Sequence, residues 1–465
     1  MPTGCACTTG QVDIQAVPRN RPREMVPYAI LMNMKLVSLA VVVLVAAPAF
    51  PQVPASQRMV VMISLDGFPA FALDDPKLPA PNLRRLIREG VSARMHTVNP
   101  TVTWPNHTTL VTGVRADEHG LLVNGSIVPT NSWPPVKVDP MVEKEKMVHV
   151  PTVYDAANHA GLTTAQVDWV AIHKAPTITW PFAEWASPED PVVVEMLRKG
   201  ALAPADVQDF SKANILFRDQ IWATAAAFLI REHKPNLVLV HFLSLDSIHH
   251  SYGPKSLAGT AAIAFLDSCV GKIRDAVREA GIEDRTTFFV VADHGFKAYT
   301  REIRPAVALA SAGLTGKVYV LAEGGTADVY IDQSQAAELL PKTIQALQSV
   351  EGIDRVVTPE GYAALGLPLP SKDPQMSQLL LTAKEGYAFS GATGGPVTAA
   401  MPQTRGSHGY LASDSDMDAI FIAAGYGVKP AARLPPIDNI DVAPTVAKLL
   451  GVPLPTAKGK TIPLQ

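Results

Sequence analysis

Cysteine is almost missing from this chain. Its 465 residues hold three, Cys5, Cys7 and Cys269. With one of them past the first fifty residues, no disulfide framework can hold the fold, and a zinc bound through thiolates is excluded. Charge is sparse too. Charged residues make up 18%, and 40 Lys+Arg against 43 Asp+Glu leave a formal net charge of −3. That balance gives no basic stripe of the kind a nucleic-acid duplex requires, so duplex binding is not expected. No internal repeat or low-complexity tract interrupts the chain. What is present is a 47% apolar composition, enough to bury one large α/β domain with an elaborated insert, or two domains.

One apolar stretch near the start reads as a targeting segment. Met34 and Lys35 precede LVSLAVVVLVAAPAF, and Ala47-Pro48-Ala49 supplies small residues at a cleavage-site spacing, so residues 34–49 are expected to be a signal peptide cut after Ala49. The run is short for a stable membrane span. Residues 1–33 are polar and contain proline, an awkward prelude to a signal, and the true start is expected at Met34. Export without disulfides suggests a periplasmic or secreted bacterial protein.

Three later apolar runs each stop in an aspartate. Residues 58–66 read RMVVMISLD, residues 236–246 read NLVLVHFLSLD, and residues 286–294 read TTFFVVADH. Apolar, β-branched runs of this length suit strands buried on both faces in a parallel sheet. Helical patterns alternate with them at 81–90, 152–161, 211–232 and 258–280, and a further strand is expected at 164–170. This alternation predicts an α/β fold, a doubly wound, mostly parallel sheet with helices on both faces. The texture changes at residues 297–405, where short strands (317–321, 327–331), a helix (335–347) and a Pro/Gly-rich passage predict an inserted α+β subdomain. The core, 58–296 and 406–465, resumes with a buried strand at 418–424 and closes with a helix at 441–451, capped by Asp441 and stopped by Gly451.

In an open α/β sheet, ligands gather at the carboxyl ends of the strands. Asp66, Asp246, Asp293 and His294 are therefore expected along one edge, with His250 four residues past Asp246 and with His408 in RGSHGY. Each has an ordinary reading alone: an aspartate caps a turn, and His250 has His249 beside it. Together, six oxygen and imidazole donors exceed what one tetrahedral ion needs and imply two, with three imidazoles favouring zinc over magnesium. Residues 100–120, PTVTWPNHTTLVTGVRADEHG, put Thr103 in a stiff turn ahead of Pro105 and an apparent helix. A hydroxyl is a nucleophile only if its proton is removed or its oxygen is held by a cation. A helix start also seats phosphate, although Thr103 or Asn106 serves as readily to cap the helix.

Thr103-Trp104-Pro105-Asn106-His107, Leu110-Val111-Thr112-Gly113, Glu118-His119-Gly120 and Asn124 resemble the nucleotide pyrophosphatase/phosphodiesterase family of the alkaline phosphatase superfamily. Asp246-Ser247-Ile248-His249-His250, Ala292-Asp293-His294-Gly295 and Gly406-Ser407-His408-Gly409 are similar to its later blocks. The resemblance implies one zinc on Asp246, His250 and His408, and a second on Asp66, Asp293 and His294 with the Thr103 oxygen. It implies a phospho-threonine intermediate on Thr103, and an Asn124 amide donating to a non-bridging phosphate oxygen. His107 and His119 would support the site or pack. Trp104 stands where phenylalanine is common, and would stack on a flat group of the substrate. Trp180, Phe182 or Trp185 are expected to line the same pocket. The expected substrate is a small phosphodiester or nucleotide. The alternatives are a phosphate monoesterase on the same fold, for which Lys174 is the candidate extra cation, and a non-catalytic periplasmic binding protein.

Overall fold

The run ending at Asp66 forms β1, Met59–Leu65, in which every residue is buried. A strand with water on neither face needs apolar side chains at each position, so its sequence does not alternate. The structure, a computed structural model, describes residues 53–465 apart from 209 and 431, which together form one compact unit. The leader at 1–33, the signal segment at 34–49 and Cys5 and Cys7 lie outside the described residues.

Helix α1, Pro81–Glu89, leads into β2, Gly90–His96, and is followed by α2, Thr103–Thr112, and α3, Val153–His159. Strands β3, Thr164–Val167, and β4, Trp180–Phe182, come next. Helix α4, Ile215–His233, feeds β5, Leu237–Phe242; α5, Ser244–Tyr252, and α6, Leu257–Glu279, lead to β6, Thr286–Val291. The chain closes with β7, Ala419–Gly425, the short β8, Ala432–Arg433, and β9, Ile437–Asp438, and α7, Val442–Leu450.

The nine strands make one sheet in the order β8-β2-β7-β6-β1-β5-β3-β4, with β9 also on β2. β1 lies parallel to both β5 and β6. β7 alone runs against its neighbours, β2 and β6. Helix α6 packs on both α1 and α4, and α2, α3 and α7 form a second layer. The doubly wound, mostly parallel α/β sheet expected from the alternation is what the chain forms.

Two helix starts differ from the expected ones for a local reason. α4 begins at residue 215 because the Asn214 side chain accepts the Phe217 N–H at 3.0 Å, while Phe210–Lys212 is a separate 3-10 turn. Asp441 precedes α7 without capping it. Its carboxylate accepts the Lys460 N–H at 2.7 Å and closes the turn begun at Asp438.

The segment after β6 leaves and returns along one ladder. Lys297–Ile303 pairs antiparallel with Thr398–Ser407, so Lys297 faces Ser407 and Ala298 faces Gly406. Beyond this stem a four-stranded antiparallel sheet runs Val318–Ala322, Thr326–Ile331, Leu379–Ala383, Ile353–Val357. It packs with the helix Ala336–Gln348 around a separate cluster that includes Leu309, Val329, Leu339, Leu347 and Leu381.

Candidate metal centre and nucleophile

Asp66 follows β1, Asp246 stands in the first turn of α5 just past β5, and Asp293 and His294 follow β6. Because β1 lies between β5 and β6, these three strand ends are neighbours. Positions i and i+4 share a helix face, and His250 Nε2 lies 3.4 Å from Asp246 Oδ1. His408, at the end of the returning strand, puts its Nε2 3.7 Å from the same oxygen. His294 Nε2 lies 3.1 Å from Asp293 Oδ2 and 3.5 Å from Asp66 Oδ1. All six residues singled out in the sequence thus meet. Two sets have donor atoms within 4.8 Å of one another, Asp246/His250/His408 and Asp66/Asp246/His294. Asp246 belongs to both, whereas Asp293 joins through His294.

The ring orientations show that this cluster suits metal ions. Nδ1 of His250 faces the Gly406 carbonyl at 3.2 Å, Nδ1 of His294 the Gly295 carbonyl at 3.0 Å, and Nδ1 of His408 the Thr101 carbonyl at 3.1 Å. A carbonyl only accepts, so each Nδ1 carries the proton and each Nε2 turns a lone pair inward, as a metal-ligating histidine requires. His249 also turns Nδ1 to a carbonyl, Gly67 O at 3.2 Å, but its Nε2 lies against Gly259 of α6 and not in the cluster. The carboxylates match. Asp66 Oδ1, Asp246 Oδ1 and Asp293 Oδ2 are buried without hydrogen-bond partners, while Asp293 Oδ1 accepts the Gly67 N–H at 3.1 Å.

Electrostatics point the same way. Burial, and then the Asp293 and Asp246 charges, hold the Asp66 carboxyl well above the usual range. Burial would raise Asp246 too, but the imidazoles of His250, His408 and His294 bring it below that range. Burial pushes His294 down to about 4, and burial with His294 beside it pushes His408 to about 3. Burial would lower His250 too, but the Asp246 charge beside it raises it above its ordinary value, and a divalent cation in place of that proton would stabilise the crowded carboxylates.

Thr103 is the first residue of α2 and places Oγ1 3.4 Å from His294 Nε2. Neither Thr103 nor Asn106 caps the helix; Val102 holds that position with no side-chain bond. Asn106 instead fixes the preceding loop, donating to Pro100 O at 2.7 Å and accepting from Val98 N at 3.1 Å and Asn439 Nδ2 at 2.8 Å. The Asn124 carbonyl oxygen accepts the Trp104 N–H at 2.9 Å, which fixes one end of its amide and leaves the exposed NH2 as a donor. With that N–H taken and Pro105 third in the helix, the start of α2 offers few free N–H groups. Trp104 is half buried against Leu121, Met147 and Val148. His107 is buried, with Nδ1 2.8 Å from Thr103 O, and His119 sits 3.1 Å from the Thr109 hydroxyl.

Several supporting residues were not legible beforehand. Asp219, in α4, accepts the N–H groups of Leu243 and Ser244 at 3.0 Å each and so holds the start of α5. Phe296 packs its ring edge on His250 (centroids 4.9 Å). A Cβ on Gly67, which has φ of 65°, would stand 2.8 Å from that ring, so the turn after Asp66 needs glycine. His241 holds Asp66. Its one sequence signal is that it interrupts an otherwise apolar strand.

The aromatic segment needs correction. Trp180 opens β4 at the end remote from the centre and stacks on His233 at 4.6 Å, while Phe182 is buried in the core; only Trp185 lies past the end of β4, packed against Arg218. Lys174 is exposed and paired with Glu143 at 3.2 Å.

A carboxylate–imidazole cluster at the carboxyl edge of this sheet, beside a buried threonine hydroxyl, defines a hydrolase of the alkaline phosphatase-like fold. The family model described as type I phosphodiesterase / nucleotide pyrophosphatase matches residues 60–411, and the chain belongs to that family. The chain is 24% identical over 430 residues to the rat ectonucleotide pyrophosphatase/phosphodiesterase family member 7, covering 90% of this chain and 89% of the relative. It is 25% identical over 449 residues to the human family member 5, covering 90% and 79%, and 22% identical over 414 residues to a Xenopus laevis bis(5'-adenosyl)-triphosphatase, covering 86% and 79%. In fold it is similar to the solved human ectonucleotide pyrophosphatase/phosphodiesterase 5, with a TM-score of 0.66 and 19% identity over 88% of this chain and 97% of that one. An inactive variant of the murine protein in complex with AMP gives 0.67 and 19%, covering 87% and 97%.

Proposed function

We propose that this protein is a two-zinc phosphodiesterase and nucleotide pyrophosphatase that cleaves a phosphodiester or pyrophosphate bond of a small molecule through a phospho-threonine intermediate. The observation that carries the reading is the Thr103 hydroxyl, 3.4 Å from His294 Nε2 beside three carboxylates with unpartnered oxygens. Asp246, His250 and His408 are assigned to one zinc, and Asp66, Asp293 and His294 to the other, with Thr103 as a further ligand. Three imidazole donors favour zinc over magnesium. When bound, the two ions supply positive charge to an anionic substrate and lower the pKa of a coordinated hydroxyl.

The chain's own groups do the rest. Thr103 Oγ1 gives up its proton and forms a bond to phosphorus while the bond to the leaving oxygen breaks and that oxygen takes up a proton. Asn124, its carbonyl held by the Trp104 N–H, donates its amide to a non-bridging oxygen of the phosphoryl group. Trp104 offers a half-buried ring beside the nucleophile for a flat leaving or retained group. Water then cleaves the phospho-threonine, restoring the hydroxyl and releasing the phosphomonoester. A diester or pyrophosphate is favoured over a monoester because Lys174, the one cation the monoesterase reading had, is paired with Glu143. The relative named as a bis(5'-adenosyl)-triphosphatase supports nucleotide-type substrates. The apolar segment at 34–49 supports an exported enzyme, periplasmic or secreted, and residues 297–405 are proposed as an inserted subdomain.

The test is Thr103→Ala measured for both bis-p-nitrophenyl phosphate hydrolysis and metal content. The expected outcome is a fall in turnover of at least about 10³-fold with zinc retained. Near wild-type turnover removes the nucleophile assignment.

A further inference from the structure

We infer that Asp168 and His241 form a positioning pair that fixes Asp66 as a one-oxygen ligand, and so selectively sets the strength of the metal position built with His294. The inference rests on the two-metal reading above.

His241 lies one residue before the carboxyl end of β5, opposite Ser64 of β1, and is 2% exposed. Its Nε2 is 3.0 Å from Asp66 Oδ2. Its Nδ1 bonds the Asp168 backbone carbonyl at 3.1 Å, and Asp168 Oδ2 lies 3.0 Å away at ion-pair distance, without a hydrogen bond of its own. Both ring nitrogens therefore point at oxygen acceptors, so both carry protons and the ring has no lone pair to offer the centre. This histidine is a donor toward Asp66, unlike the three inward-facing ones. Of the two Asp66 oxygens, one is taken by His241 and the other, Oδ1, is buried without a partner and faces His294. A carboxylate free to rotate presents either oxygen or both; one tethered this way presents Oδ1 alone.

The pair is itself held in place. Asp168 has φ of 56°, a left-handed backbone that aspartate tolerates better than most residues. In that conformation its carbonyl and its carboxylate both reach His241. Its N–H donates to Phe182 O at 3.0 Å, tying the turn to β4. The His107 ring packs edge-on to His241 at 4.6 Å, and Trp169 packs edge-on to His107 at 5.0 Å, so the imidazole has little room to turn. Asp246, His250 and His408 make no hydrogen bond, ion pair or ring contact with either residue, which is why the effect should be confined to one metal position.

The experiment is metal titration of the full chain with Co(II), monitoring the visible absorption bands of the two positions, followed by competition with a chelator. It compares wild type with His241→Leu, His241→Gln and Asp168→Asn, each checked for folding by circular dichroism. His241→Leu is expected to weaken one of two bound metals about 10–100-fold, to alter that position's spectrum, and to leave the other within about twofold. His241→Gln, which can still donate to Asp66, should recover part of the loss. Asp168→Asn, with His241 intact, should weaken the same position by less. Two metals bound with unchanged affinities in His241→Leu, or both weakened alike, overturns the positioning pair alone. If His241→Leu fails to fold, Asp168→Asn decides on the same criterion. Wild type that takes up fewer than two metals overturns the two-metal reading, and this inference with it.

Discussion

Replacing Asn124 by alanine and by aspartate separates its two bonds. The side-chain carbonyl anchors the Trp104 N–H at 2.9 Å, and the amide is the proposed donor to the phosphoryl oxygen. Alanine removes both. Aspartate keeps, and by its charge strengthens, the bond to Trp104, yet puts a second anionic oxygen where the donor was. A purely structural Asn124 therefore predicts that aspartate outperforms alanine. A phosphoryl donor predicts the reverse. Loss of one oxyanion donor lowers the rate about 10²–10³-fold, or roughly 3–4 kcal/mol. A carboxylate about 4 Å from an anionic phosphoryl group adds a repulsion of about 4 kcal/mol at an effective dielectric constant near 20. Even heavily screened, that difference should put Asn124→Asp at least about tenfold below Asn124→Ala. The assay is kcat/KM for bis-p-nitrophenyl phosphate. The side chain is exposed, so both variants should melt within a few degrees of wild type. Aspartate equal to or better than alanine would refute the donor role.

Removing bound metal with a chelator should abolish diester hydrolysis and lower the Tm, because three crowded carboxylates then face one another; added zinc should restore both, and a melt unchanged by chelation would count against a metal centre here. Asp219→Ala strands the N–H groups of Leu243 and Ser244 and should cost about 2–4 kcal/mol in urea unfolding, and a cost under about 0.5 kcal/mol would show that α5 does not depend on it. Asp328 in the insert is raised to about 6 by burial, despite the bond from the Ser377 hydroxyl. An acid whose folded pKa is raised binds protons more tightly when folded, so its contribution is fully present below about pH 4 and is lost as pH rises through about 6. Asp328→Asn, which keeps an acceptor for Ser377, should match wild type at pH 4 and exceed it by up to about 3 kcal/mol at pH 8. A stability difference that does not vary with pH would exclude Asp328 as the titrating group.

The aspartates were readable because β1, β5 and β6 are buried on both faces: a mainly apolar run marks each strand, and parallel strands stop on one edge, although the run past β5 continues into α5, where Asp246 stands. The direction of β7 was not readable, since a fully buried strand has the same composition whichever way it runs. That Trp180 and Phe182 of β4 lie away from the site was not readable for a related reason. Two strand residues, Pro181 and Phe182, separate Trp180 from the edge where ligands gather, and the sequence gives no sign of which end of so short a strand faces it. Asp219 and Asn106 hide inside helical patterns, where a polar residue ordinarily faces water. His241 left one trace, a polar side chain in the run NLVLVHFLSLD, and only coordinates reveal that its partners are Asp66 and Asp168.

The inner and outer groups of this centre obey one charge requirement. Three buried carboxylates within a few ångströms are unfavourable unless positive charge is supplied to the oxygens that lack partners. The fold answers at the other ends of the same groups with neutral or donating partners: backbone carbonyls on each Nδ1, the Gly67 N–H on Asp293, and His241 on Asp66. None of these reaches the inward-facing oxygens. If the cluster were a structural network, its polar atoms would be expected to satisfy one another, as buried polar groups generally do. Instead the three unpartnered carboxylate oxygens face the Nε2 atoms of His250, His294 and His408, next to the hydroxyl at the start of α2. That one-sidedness is the signature of a site shaped around ions and a substrate.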